Sequence, residues 1–135
     1  MGILPIEGGI VLNKRFFVCN HCGNIIAMIR DRGVPVYCCG EKMQNIIPGT
    51  GEGAQEKHIP VYEAKDGTVT VSVGEAEHPM TSEHYIEWVC IETDEGVQYK
   101  ILKPNMPPRV SFFISKEDKI KAVYASCNQH SLWKA

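Results

Sequence analysis

An antiparallel β-sandwich or barrel, preceded by a small metal-stapled knuckle, is the fold that this sequence predicts. Three observations carry that reading. Short runs of alternating apolar and polar residues fill the second half of the chain, a glycine-rich break interrupts it near residue 50, and two cysteine pairs stand before the break. Strands with turn signals about every 8–12 residues are the pattern of sandwiches and barrels.

The alternating runs come in order. Val69, Val71 and Val73 alternate with Thr70 and Ser72. The segment from Tyr85 to Glu92 offers Ile86, Trp88 and Cys90 as one face. Val97, Tyr99 and Ile101 follow, then Val110, Phe112 and Ile114, then Ile120 to Ala125. Turn signals separate them at Asp66-Gly67, Asp94-Glu95-Gly96, Pro104-Asn105 with Pro107-Pro108, and Lys116-Glu117-Asp118. Residues 116–125 carry β-branched and aromatic side chains at Ile120, Val123 and Tyr124 and lack a sustained helical period.

The break is Pro48-Gly49-Thr50-Gly51-Glu52-Gly53, which suits neither a helix nor a central strand. It gives a division into an extension at 1–14, a cysteine-bearing piece at 15–47, a linker at 48–56 and a β domain at 57–135. The cysteine-bearing piece has few large apolar residues. A core that small needs a staple.

Composition excludes several classes. The 135 residues are 44% hydrophobic and 22% charged, which is globular. Fourteen basic against sixteen acidic residues give a net charge of -2, which argues against nucleic-acid binding driven by bulk charge. No apolar run approaches the roughly 18–20 residues that span a bilayer, so no membrane partner is expected. Residues 1–12 have no basic n-region and do not read as a signal peptide, so the expected setting is cytoplasmic. Six cysteines in a reducing compartment point to metal ligands before disulfides.

Cys19 and Cys22 enclose two residues, and fifteen more separate them from Cys38 and Cys39. Gly23 and Gly40 follow the pairs and permit tight turns. Four thiolates around one ion imply tetrahedral zinc or iron, and spacing does not choose between them. The vicinal pair has to bend the backbone sharply to turn both sulfurs to one ion. His21, inside the first loop, is expected to face solvent because four thiolates complete the shell.

Histidines 58, 78, 84 and 130 fall at turns or run edges, and Cys127 stands three residues before His130. Singly, each has an ordinary reading: a solvated imidazole, or a small buried thiol. Together they could hold a metal with four nitrogens and one sulfur, leaving a sixth position open for catalysis. Cys90, in mid-strand without a partner in sequence, reads as an inert structural thiol.

These segments resemble the desulfoferrodoxin family, the two-iron superoxide reductases. The resemblance rests on Cys19-x-x-Cys22 with Cys38-Cys39, on Glu56-Lys57-His58-Ile59-Pro60, on His78-Pro79-Met80, on Glu83-His84-Tyr85-Ile86-Glu87-Trp88, and on Cys127-Asn128-Gln129-His130. It implies a desulforedoxin-like, rubredoxin-type knuckle followed by an immunoglobulin-like sandwich. It implies two iron ions per chain, one on Cys19, Cys22, Cys38 and Cys39, the other on His58, His78, His84 and His130 with Cys127 axial. It implies reduction of superoxide to hydrogen peroxide, with electrons from rubredoxin or a similar donor, in a homodimer. Lys57 and Glu56 take the catalytic roles, the first attracting and polarising the anion, the second occupying the vacated position. Ser131 departs from the family, which carries glycine there, so a different loop behind His130 is expected. Residues 1–14 have no counterpart.

Overall fold

The computed structural model describes residues 6–7, 10–11, 15–49, 58–74, 78–129 and 131–135. The chain divides into two compact units, Met1–Ile47 and Pro48–Ala135.

In the first unit, β1 (Ile6–Glu7) and β2 (Ile10–Val11) form a short antiparallel pair. Strand β3 (Phe16–Val18) lies between β4 (Ile25–Ala27) and β7 (Gln44–Asn45), while β5 (Tyr37–Cys38) and β6 (Glu41–Lys42) make a separate hairpin. Among the described residues of this unit, the buried hydrophobic side chains are Phe16, Cys19 and Met43, whereas Ile29 and Val34 are 99% and 71% exposed. At roughly 1.5–3 kcal/mol per fully buried side chain, so few residues cannot offset the ordering of the chain. A core this small is what the metal staple expected from the sequence would have to supplement.

The second unit is a two-layer sandwich. One sheet has the order β11 (Val97–Ile101), β10 (Ile86–Thr93), β13 (Ile120–Cys127), β14 (Ser131–Lys134). The other has the order β12 (Arg109–Phe113), β9 (Thr68–Val73), β8 (Pro60–Lys65). Among the described residues, every strand pairing within the two sheets is antiparallel. Val69, Val71, Val73 and Phe112 from one sheet meet Ile86, Val89, Ile91, Val123, Ala125 and Cys127 from the other. The mainly β fold expected from the sequence is therefore present, knuckle and sandwich included. Among the described residues, no helix is long and apolar enough to cross a membrane.

Strand β10 corrects one expectation. Ile86, Trp88 and Cys90 do not share a face. The β10–β13 register shifts between Ile86 and Trp88, so Glu87 is an extra residue opposite β13. A bulge of one residue inverts the alternation beyond it. Ile86, Val89 and Ile91 point to the core, and Trp88 and Cys90 point to the outer face. Cys90 is nonetheless buried, beside its cross-strand partners Tyr99 and Tyr124.

The start of the expected linker is held in place. Gly49 N–H donates to the Leu132 carbonyl at 2.8 Å and the Gly49 carbonyl accepts from Lys134 at 3.0 Å, a parallel bridge beside Trp133. The rest of that segment, 50–56, lies outside the described residues.

Candidate metal centres

In the first unit, Cys19 follows β3 and the chain reverses at once. Gly23 N–H donates to the Cys19 carbonyl at 2.9 Å, and Gly23 has φ +84°. Cys38 ends β5. Cys39 has φ +53° and Gly40 +75°, the sharp bend that the vicinal pair demands. The four sulfurs lie within 4.8 Å of one another. A tetrahedron with metal–sulfur bonds of about 2.3 Å has sulfur–sulfur edges of about 3.8 Å. Cys22 and Cys38 are 3.7 Å apart, and Cys38 and Cys39 4.0 Å, so the donors fit one ion.

The electrostatics are graded. The backbone N–H of Cys22, 3.4 Å from the Cys19 sulfur, is the main cause holding that thiol down to about 6. Hydrogen bonding to the Cys22 and Cys19 side chains, with burial, pushes Cys39 up to about 12 and also raises Cys38. Cys19 is the thiol most easily ionised, and a cation favours loss of the protons that Cys38 and Cys39 hold more tightly. His21 is exposed and is not part of the cluster.

The second cluster gathers at one end of the sandwich. His58 stands two residues before β8, His78 five after β9, His84 two before β10, and Cys127 ends β13. Pairings Pro60 with Val73 and Ile86 with Cys127 bring those strand ends together. The donor atoms of His58, His78, His84 and Cys127 also lie within 4.8 Å of one another, with His58 and His78 each 2% exposed. These are not the solvated imidazoles that each position, taken alone, would suggest.

The ring centroids form three corners of a square. His78 lies 4.8 Å from His58 and 4.7 Å from His84, while His58 and His84 are 6.4 Å apart, close to the diagonal. Imidazoles bound at about 2.0–2.1 Å place opposite centroids roughly 6.4 Å apart and adjacent ones roughly 4.5 Å apart. His78 Nδ1 donates to the Pro79 carbonyl at 2.7 Å, which leaves the Nε2 lone pair for a metal. Nε2 of His78 and of His84 is buried at the site. The donors fit an ion held by imidazoles and one thiolate.

The supporting contacts were not legible in sequence. Trp133 of β14 stacks on His58 at 4.9 Å with an interplanar angle of 23°. Gly49 lies so near the indole that a Cβ there would fall 2.8 Å from two of its atoms. Thr81 closes the His84 turn: its N–H and Oγ1 donate to the His84 carbonyl, and its carbonyl accepts from the His84 N–H. Ser131 has φ +67°, so the left-handed backbone that glycine favours is kept with serine in place. Glu56, Lys57 and His130 lie outside the described residues.

Fold and clusters together define a two-centre metalloprotein, with a tetrathiolate knuckle in one unit and an imidazole–thiolate centre at the end of an immunoglobulin-like sandwich in the other. The desulfoferrodoxin family profile matches residues 50–135. The chain is 42% identical over 120 residues to the desulfoferrodoxin of Nitratidesulfovibrio vulgaris, covering 88% of this chain and 93% of that one. The superoxide reductase of Treponema pallidum superimposes with a TM-score of 0.75 at 37% identity, covering 90% of this chain and 95% of the other. A one-iron superoxide reductase of Giardia intestinalis gives 0.51 at 28% identity, covering 59% and 95%. The chain belongs to the desulfoferrodoxin family, and its two donor groups match the two iron sites of desulfoferrodoxin.

Proposed function

We propose that this chain is a superoxide reductase, which converts superoxide to hydrogen peroxide with one electron and two protons per turnover. The observation that carries the reading is the three imidazoles of His58, His78 and His84 gathered with the Cys127 thiol within 4.8 Å. Iron bound there supplies the one-electron couple and a position for the incoming anion. His130, three residues after Cys127 in the sequence, is the proposed fourth imidazole. Cys127 would hold the iron through its thiolate, which would donate electron density to it and tune its one-electron couple.

The second unit is net acidic in sequence, so attraction of an anion has to be local. Lys57, adjacent to His58, is the proposed source: it raises the local anion concentration and orders the water that gives up protons. Glu56 is the carboxylate proposed to shield the same position between turnovers. The electron donor is proposed to be rubredoxin or a similar one-electron carrier. The proposed state is a homodimer, supported by the apolar side chains of Ile29, Val34 and Tyr37 left exposed on the first unit. That no disulfide joins any of the six cysteines supports a reducing, cytoplasmic setting. The proposed domain limits are 15–47 and 57–135.

The test is stoichiometric. Superoxide generated in pulses should be consumed with one equivalent of added reductant each, yielding one hydrogen peroxide and no dioxygen. Oxygen release without reductant would instead mean dismutation. Cys127→Ser should abolish the thiolate-to-iron charge-transfer band of the iron-loaded centre, and a band that persists would exclude axial sulfur.

A further inference from the structure

The ligand His84 is gripped on both sides by a residue next to another ligand. Asn128 follows Cys127 at the end of β13. Its Oδ1 accepts from the Tyr85 N–H at 2.9 Å, and its Nδ2 donates to the Glu83 carbonyl at 3.0 Å. Its own backbone N–H donates to the Tyr85 carbonyl at 3.1 Å. The amide orientation follows from this pattern, because a flipped amide would set donor against donor and acceptor against acceptor. Gln129 Nε2 donates to the same Glu83 carbonyl.

The peptide groups before and after His84 are thus tied to the residue beside Cys127, across 43 to 45 positions of sequence. The ladder continues directly, since Ile86 pairs with Cys127. Thr81 constrains His84 only within its own loop, and His78 is oriented by its own Pro79. Among the described residues, Asn128 binds the peptide groups on both sides of His84 with its side chain, and Gln129 adds a bond to one of them.

We propose that Asn128 is a positioning residue that presets His84 and Cys127 as a ligand pair before metal arrives. The proposal rests on the metal-centre reading above. Asn128 is exposed, so its hydrogen bonds compete with water and each adds only modestly to global stability. Their effect falls on ligand geometry instead. Loss of such an outer partner typically lowers metal affinity 10–100-fold.

The test is a cobalt(II) titration of the metal-free full-length chain under anaerobic conditions, followed by the thiolate-to-metal band of each centre. The four-cysteine centre of the same molecule is the internal control. In the unaltered chain both centres should fill. Asn128→Ala should weaken the histidine–cysteine centre by about ten- to a hundredfold, move its charge-transfer band, and leave the four-cysteine centre unchanged. Asn128→Asp keeps the size and the acceptor for Tyr85 but sets an oxygen against the Glu83 carbonyl, so it should weaken the same centre less. It serves where the alanine variant folds poorly. Equal weakening of both centres would mean a merely structural role and overturn the proposal, as would unaltered affinity and band position in both variants. If the unaltered chain filled only its cysteine centre, the metal-centre reading itself would fail.

Discussion

Gly49→Ala tests the packing behind the histidine centre. The φ of Gly49 lies outside the left-handed region, so alanine meets no backbone penalty there. The obstacle is Trp133. A Cβ would lie 2.8 Å from Cε3 and from Cζ3 and 3.2 Å from Cη2. Ordinary contact begins at 3.4 Å, so the indole or the Gly49 backbone has to withdraw by about 0.6 Å. Both are restrained: Gly49 by hydrogen bonds of 2.8 and 3.0 Å, and the indole by its stack on His58 at 4.9 Å. Overpacking of this kind costs roughly 1–3 kcal/mol. The stiffer unfolded chain returns about 0.4–1 kcal/mol. A net loss of about 1–2 kcal/mol should lower the melting temperature of the metal-free protein by roughly 5–10 °C. Because the indole presses on a ligand, metal affinity at the histidine centre should fall as well, while the cysteine centre holds. Thermal unfolding followed by tryptophan fluorescence, with cobalt titration, measures both. A variant that melts at or above the original temperature with unchanged emission would refute the close approach of Gly49 to Trp133.

Ser131→Gly should stabilise the sandwich by about 0.5–1 kcal/mol, because serine at φ +67° bears a strain that glycine does not, and denaturant melts would show it. Metal uptake at the four-cysteine centre near pH 7.5 should release at least two protons, from Cys38, raised above its usual 9.0, and Cys39, pushed up to about 12. Apparent affinity should therefore rise with pH by at least about a hundredfold per unit in that range, which calorimetry in buffers of different ionisation enthalpy would check. Lys57→Ala should slow the encounter with superoxide by about tenfold, and more so at low ionic strength. An unchanged rate in dilute buffer would exclude steering by this lysine.

The run of β9 names its strand because one face is buried and burial writes a period of two into sequence, whereas β11 alternates in sequence although it is exposed throughout. Strand β8 left little trace: it is an edge strand, exposed from Val61 to Lys65, so no apolar face marks it. The phase of β10 was misread because the bulge at Glu87 depends on which β13 residue lies opposite, a property of pairing and not of composition. The cysteine knuckle was fully legible, since its ligands lie within two short loops and their spacing is the geometry.

The chemistry of both centres was present in the sequence as residue types, and the knuckle also as spacing. Whether the imidazoles of His58, His78 and His84 meet the sulfur of Cys127 was a matter of strand order and register, which align the ends of β8, β9, β10 and β13. Trp133 on His58, Gly49 beneath the indole and Asn128 astride His84 belong wholly to tertiary structure. Such contacts join residues tens of positions apart through single atoms, and no local pattern in a chain encodes a distance between its remote parts.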